Sequence, residues 1–288
     1  MGNSKSVLWS QKPPSRLSVI IPTLNEEKDI EATIRSTERT ADATPGRVEV
    51  IVADGGSVDQ TVDIARRCGA KVVAGARGRG PQMNAGARQA TGEVLLFLHA
   101  DTRLPPDYDK AVLASLDGRA PDGAAGPARG HPSDATDAHA DQASRARARP
   151  WGYFPLTIEG ESFGLRIVEA GVRARNALFA LPYGDQAIYV NRDVFWSVGG
   201  FREVPLLEDV SLVRDLKKSG FHPVRASLPV STSGRRWEGL GVLQTTLMNQ
   251  AILLAWKLGV DEERLATWYR GRASARKAVG AQKGAKSG

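Results

Sequence analysis

Cysteine is nearly absent: the 288 residues contain one, Cys68, which excludes an intramolecular disulfide and fits a reducing, cytoplasmic compartment. Its expected state is a small buried hydrophobe, not a nucleophile. Histidine is scarce as well. His99, His131, His139 and His222 have neither zinc-ligand spacing nor thiolate partners. No secretory apolar stretch precedes the first strand signal, and no internal repeat is evident. The longest apolar stretch, Gly239 to Val260, carries Gln244, Asn249, Gln250 and Lys257. A spanning helix would place those groups in hydrocarbon, so a packed or interfacial helix is expected.

Acidic residues are missing from one place in particular. Arg270 to Gly288 holds six basic residues and no acid, and removing those six from the formal +7 leaves +1 for the rest. A near-neutral body argues against a nucleic-acid module. The segment 270–288 is expected to be a basic, disordered tail, with peripheral contact to an anionic membrane as its second use. Residues 1–15 are expected to be a flexible N-terminus. Gly2 followed by Ser6 fits a loose acylation pattern of the kind that also arises by chance. Arg119 to Pro150 has almost no large hydrophobe and reads as a surface insertion in a single 16–269 domain.

What is present is a repeated strand-then-helix pattern. Leu17 to Ile21 is a β-branched run expected to stop at Pro22. Ile30 and Ile34 recur at helical spacing. Val48 to Ala53 is a second strand ending at Asp54, and Ser57 with Gln60 suggests a capping box for a helix closing at Gly69. Lys71 to Ala74 is a third strand. Pro81 fits the first position of a helix reaching about Gln89, and Glu93 to Leu98 is a fourth strand leading into Asp101. Later, Phe154 to Ile158 and Ala187 to Val190 read as strands, Ile167 to Leu178 and the stretch from Glu208 as helices. Hydrophobic residues at 41% suffice for a core. The order implies an α/β fold with a mostly parallel sheet and helices on both faces.

In such sheets ligands gather at the carboxyl ends of the strands, where the polar clusters fall. Asp54 could accept from a nucleoside or merely brace the Gly55-Gly56 turn. Asp101, at a strand tip, could hold a hard divalent cation or simply form a turn. Glu208 and Asp209 at a helix start suit the helix dipole, which equally keeps a general base ionised. Arg79, Arg235 and Arg236 are candidates for a diphosphate, or solvated loop arginines.

In order along the chain, these pieces resemble the family 2 glycosyltransferases of GT-A fold. The resemblance rests on Ser18-Val19-Ile20-Ile21-Pro22-Thr23-Leu24-Asn25-Glu26, on Asp54-Gly55-Gly56-Ser57 with Asp59 and Thr61, and on Asn84-Ala85-Gly86 before Thr91-Gly92-Glu93. It is similar in more detail to the branch found beside radical-SAM and selenium-related genes, through Gly78-Arg79-Gly80, Gln82 to Ala87, Phe97 to Thr102, Leu181 to Gln186 and Arg235-Arg236-Trp237. The resemblance implies an inverting transfer from a nucleotide-sugar, commonly a UDP-sugar, to a hydroxyl acceptor. Pro22, Thr23, Glu26, Asp54, Gly55 and Arg79 would hold the nucleotide, with Arg236 and Trp237 near the diphosphate. Asp101 would bind Mn2+ or Mg2+, Asp209 with Glu208 would supply the base, and Asp185 would face the acceptor. His99 stands where the usual Asp-x-Asp has its first acid, and is expected to contact the nucleotide or support the metal ligand. A sugar nucleotidyltransferase would need a Gly-rich basic loop after the first strand, where Pro22 to Glu26 stands instead. A non-catalytic nucleotide-sugar binder is the other rival, raised by His99.

Overall fold

The computed structural model describes residues 16–40, 47–117, 149–234 and 242–269. The expected flexible N-terminus, residues 119–148 of the expected insertion, the tail and the Arg235-Arg236-Trp237 cluster lie outside them.

β1 (Leu17–Thr23), β2 (Val48–Asp54), β3 (Lys71–Ala74) and β4 (Val94–Phe97) form a parallel block in the order β3-β2-β1-β4. α1 (Ile30–Thr37), α2 (Thr61–Arg67) and α3 (Arg79–Gln89) are the crossovers. β1 is buried at every position, as a strand covered on both faces must be. Leu17, Val19 and Ile21 join Ile30 and Ile34 in one core, while Ile20 joins Met83, Leu95 and Phe97 in a second. α3 approaches the sheet so closely that a Cβ at Gly86 would lie 2.5 Å from Ile20 Cγ2.

The rest of the chain completes the sheet with mixed polarity. β8 (Tyr189–Asn191) pairs antiparallel with β4, β6 (Trp151–Tyr153) antiparallel with β8, and β9 (Val224–Arg225) parallel with β6. A small second sheet has the order β5-β10-β7, from β5 (Thr102–Arg103), β7 (Leu156–Ile158) and β10 (Val230–Thr232). The remaining helices are α4 (Tyr108–Leu116), α5 (Phe163–Phe179), α6 (Arg192–Ser197), α7 (Glu208–Lys218), α8 (Val242–Lys257) and α9 (262–269). Among the described residues no helix is long and apolar enough to cross a membrane.

Several local expectations are corrected. Pro22 does not stop β1: it pairs in register with Ala53. Leu98 N donates to Ile20 O, so the next residue facing that side is Pro22, and β4 has ended by then; a missing N–H there breaks no ladder bond. Ser57 does not cap α2, since its hydroxyl donates to Asp54 and Asp59 Oδ1 instead accepts from Thr61 N at 3.0 Å. Pro81 is the third residue of α3, still in the turn whose N–H groups need no helical partner. Phe154 to Ile158 is not one strand, because Pro155 separates β6 and β7 into different sheets. Pro150, placed in the expected surface insertion, is instead buried, and its carbonyl accepts from Asn191 N. Cys68 is less buried than expected. It is half-buried against the core, and burial raises its thiol pKa.

Candidate active site

Two clusters form along the carboxyl edge of the parallel strands. The first joins the ends of β1 and β2. Gln82 of α3 donates to Thr23 O at 2.6 Å and to Ala53 O at 2.9 Å, tying the two strand ends together. The Asp54 carboxylate accepts from Thr23 Oγ1, Ser57 Oγ, Gly56 N and Ser57 N. A carboxylate offers about four acceptor positions, and here all four are occupied by the turn and by Thr23. Burial alone would raise its pKa; the Ser57 bonds, with Gly56 and Thr23, outweigh that and hold it below the ordinary 3.8. Glu26 N is fixed by Thr61 Oγ1 at 2.7 Å. This cluster therefore contains Pro22, Thr23, Glu26, Asp54 and Gly55, with side-chain acceptors spent on holding loop backbone in place.

The second cluster lines a cavity of about 360 Å³ that Arg79, His99, Asp101, Asp185, Glu208 and Asp209 share. Six residues separated by up to 130 positions in the chain are thus gathered by the start of α3, the loop after β4, the 184–186 turn and the start of α7. Asp209 Oδ2 accepts from Gly184 N at 2.6 Å and its Oδ1 from Val210 N at 2.7 Å. A Cβ on Gly184 would lie 2.7 Å from His99 Nε2 and 3.3 Å from Asp209 Oδ2. That glycine is where β4, α7 and the 181–186 loop meet, and only a residue without a side chain leaves the approach open.

Glu208 is the deepest acid of the group, with its side chain 9% exposed and Arg79 Nη1 4.0 Å away. Burial, and then the neighbouring Asp209 charge, push its pKa up to about 7, only partly offset by Arg79. The helix that carries both acids begins from Leu207, whose φ of 65° is left-handed. Such backbone in a non-glycine residue is held by its surroundings and is common at sites.

The wall opposite was largely missed by sequence reasoning. Tyr183 lines the cavity and lies under the Arg175 guanidinium, whose Cζ is 3.5 Å from the ring centroid. Gln186, fully buried, accepts from Arg175 Nη2 and Asn176 Nδ2 and donates to Phe154 O. The loop between Ala180 and Ala187 has both of these residues at φ 45°. A further wall comes from Leu206 and Leu207 and from Asn249, Ile252 and Tyr269 of α8 and α9. Tyr183 and Gln186 fall within the Leu181 to Gln186 motif, which gave them no role; no spacing signal pointed to α8 or α9.

Among the described residues no group of three or more His, Cys, Asp or Glu side chains is set to hold a metal. Asp101 and His99 do face one cavity, a carboxylate oxygen and an imidazole, which is a donor pair that Mn2+ accepts and Mg2+ accepts in part. Arg236 and Trp237 lie outside the described residues.

Sequence comparison matches residues 18–169, more than half of the chain, to Glycosyl transferase family 2. The chain is 35% identical over 118 residues to a validoxylamine A glucosyltransferase of Streptomyces hygroscopicus subsp. limoneus, covering 36% of this chain and 24% of that protein. It is 38% identical over 106 residues to a PGL/p-HBAD biosynthesis glycosyltransferase of Mycobacterium tuberculosis, covering 34% and 39%. The matched stretch thus spans well under half the length of these relatives. Among solved structures, glucosyl-3-phosphoglycerate synthase of M. tuberculosis, in complex with Mn2+, UDP and phosphoglyceric acid, aligns with TM-score 0.51 at 19% identity over 86% of this chain and 80% of that one. S. aureus TarS 1-349 in complex with UDP aligns with TM-score 0.52 at 17% identity over 76% and 60%. The fold is GT-A.

Proposed function

The chain belongs to glycosyl transferase family 2, and from that premise we propose that it moves a sugar from a nucleotide-sugar, a UDP-sugar by preference, to a hydroxyl acceptor with inversion at the anomeric carbon. The observation that carries this reading is the convergence of Arg79, Asp101 and Asp209 on one cavity. UDP in the two structural relatives supports uridine as the base. The motifs around Arg79, Gln82 and Leu181 to Gln186 support the radical-SAM-associated branch.

In this reading the loop clamped by Asp54, with Pro22, Thr23, Glu26 and Gly55, cradles the nucleoside. Arg79 at the start of α3 faces the diphosphate, with Arg236 and Trp237 assigned to it by resemblance. Asp101, with His99 beside it, would hold a divalent cation, which when bound supplies positive charge against the leaving diphosphate. Asp209 takes the proton of the acceptor hydroxyl as that oxygen attacks from the face opposite the leaving group. Its bonds from Gly184 N and Val210 N fix the orientation of the carboxylate in the cavity. Asp185, beside Gly184, faces the acceptor. Glu208, buried behind Asp209, shapes the field around it. Location in the cytoplasm, with peripheral membrane contact by the basic 270–288 segment, completes the proposal.

The test has two arms. Thermal-shift titration of UDP-sugars with and without Mn2+ should raise Tm only with both, a ligand at about 100 times its Kd stabilising by roughly 2.7 kcal/mol. Proton NMR of the first product from an α-linked donor should show a β anomeric proton. A retained configuration would remove the in-line mechanism and Asp209 as its base.

A further inference from the structure

α5 carries large apolar side chains on its outward face as well as its inward one, where Leu165 is buried and Val168 and Val172 pack against the core. Its inward positions include Glu169 and Asn176, 5% and 8% exposed. These have local partners, Ile158 N at 2.7 Å for Glu169 and Gln186 Oε1 at 3.1 Å for Asn176. Its exposed positions carry a single charge, Arg173, and include Phe163, Ile167, Leu178 and Phe179, each 57% to 79% exposed. A water-facing helix normally shows the opposite pattern.

α8 likewise exposes apolar side chains, although Met248, Ile252 and Leu253 are buried on its inner side. Leu247, Ala251, Leu254 and Leu258 follow one helical face and its continuation, and all are exposed. The two helices pack against each other, and Lys257 Nζ lies 5.9 Å from the Phe179 ring centroid. Of the eleven large apolar side chains exposed among the described residues, nine fall within 163–179 and 247–268. That concentration is not the scatter of single apolar residues that any surface shows.

Charge decides what covers this face. The exposed described side chains of α5 and α8 include Arg173 and Lys257 and no acid, and Lys217 Nζ donates to Phe179 O at its edge. The nearby acids Asp261 to Glu263 open α9, where Asp261 accepts from Glu263 N and Glu262 from Trp256 Nε1. A twofold contact between copies would set cations against cations. Anionic headgroups complement them. Stable interfacial binding takes two signals, an apolar face and a polybasic segment, and the six basic residues of 270–288 follow α9 directly.

We propose that the outer faces of α5 and α8 form a docking surface for an anionic lipid bilayer, with the 270–288 segment as its second, electrostatic signal. Asn249 and Ile252 of α8 line the cavity from that helix's inner side, and α5 ends just before the Tyr183 to Asp185 wall. Docking therefore brings the cavity to headgroup level, where an amphiphile would present an acceptor hydroxyl. That last step rests on the transfer reading above; the docking itself does not.

The experiment is flotation of the full chain with phosphatidylcholine vesicles, with and without a minority of phosphatidylglycerol, at physiological salt. Co-flotation is expected only with the anionic vesicles. The double variant Leu178→Asp/Leu254→Asp should lower the bound fraction's partition by roughly tenfold or more, with Tm and UDP binding unchanged. Absence of flotation, or a double variant that floats as the parent does, overturns the proposal. So does a concentration-dependent dimer, seen by sedimentation velocity without flotation and abolished by the same variant, which would assign the face to a second copy. UDP binding and transfer to a soluble acceptor are read separately, so docking and transfer fail independently.

Discussion

The two clusters on the sheet edge treat their carboxylates in opposite ways. At the β1–β2 end, Asp54 receives four internal hydrogen bonds and its charge is welcome. At the cavity end, Glu208 is buried beside Asp209 with its nearest guanidinium 4.0 Å away, and its charge is resisted. Both clusters bond carboxylates to backbone, Asp209 through Gly184 N and Val210 N, but the cavity cluster adds a buried carboxyl, Glu208, whose charge its surroundings resist. The difference separates a carboxylate held in place by backbone from one whose charge is resisted, along a single sheet edge.

The largest expected effect sharpens that contrast at Asp209. Asp209→Asn can keep the Gly184 N–H bond through its amide oxygen but cannot take a proton. Transfer should fall by roughly 10²–10⁴-fold, with UDP affinity scarcely changed; a variant that turns over normally would end the contrast. Next comes Asp101→Ala, which should weaken Mn2+-dependent UDP binding by roughly 10²-fold in calorimetry and leave Tm without ligand unaltered. His99→Asp should keep or raise that metal dependence. A collapse of UDP affinity in this variant would show that the imidazole has a nucleotide contact of its own.

A smaller effect is expected where the cavity narrows. Gly184→Ala puts a methyl 2.7 Å from His99 Nε2 and 3.3 Å from Asp209 Oδ2. The imidazole must swing aside, so turnover should drop by roughly tenfold or more while stability changes by about 1–3 kcal/mol. Gly86→Ala provides the control at the other end. It wedges a methyl against Ile20, so it should destabilise on the same scale and spare catalysis in the molecules that remain folded.

The parallel half was legible in the sequence because β1 and β4 are buried at every position and read as near-continuous apolar runs, while β2 and the partly buried β3 are rich in valine and end at turn residues. Val48 to Asp54 and Lys71 to Ala74 needed nothing further. Several motif residues to which the resemblance gave no role are structural. Gln82 ties strand ends, Asn84 exchanges two hydrogen bonds with the Phe201 backbone, and Gly92 N donates to Ser18 Oγ. These residues hold the fold that holds the site. The antiparallel half was legible only in part. β6 and β7 have three residues each, too short for a periodic signal, and Pro155 sends them to different sheets. Tyr183 and Gln186 depend on left-handed backbone at Ala180 and Ala187, and alanine gives no warning of that conformation. The α8 and α9 wall depends on tertiary packing, which no local pattern encodes.

The smallest effect is also the most direct reading of the two carboxylates, through the pH dependence of stability. Stability changes with pH in proportion to the difference in bound protons between the unfolded and native states, by up to about 1.4 kcal/mol per pH unit for one group. Asp54 has a native pKa below its ordinary 3.8. Its contribution is therefore fully present above about 3.8 and is lost as pH falls through the native value, where the unfolded chain binds the extra proton. Glu208 has the opposite sign. Its native pKa of about 7 lies above the ordinary 4.5, so between those values the native state holds the proton and the unfolded state has released it. Stability from this group is complete below about 4.5 and declines as pH rises to about 7. Urea midpoints measured across pH should then show an acid limb that Asp54→Asn removes and a limb falling from about 4.5 to 7 that Glu208→Gln removes. Glu208→Gln should raise stability near neutrality, since a neutral side chain of the same shape escapes the cost of burial beside Asp209, while costing turnover less than Asp209→Asn does. If Glu208→Gln leaves the falling limb in place, the charge of Glu208 is accommodated after all, and the two ends of the sheet edge do not differ in the way their geometry indicates.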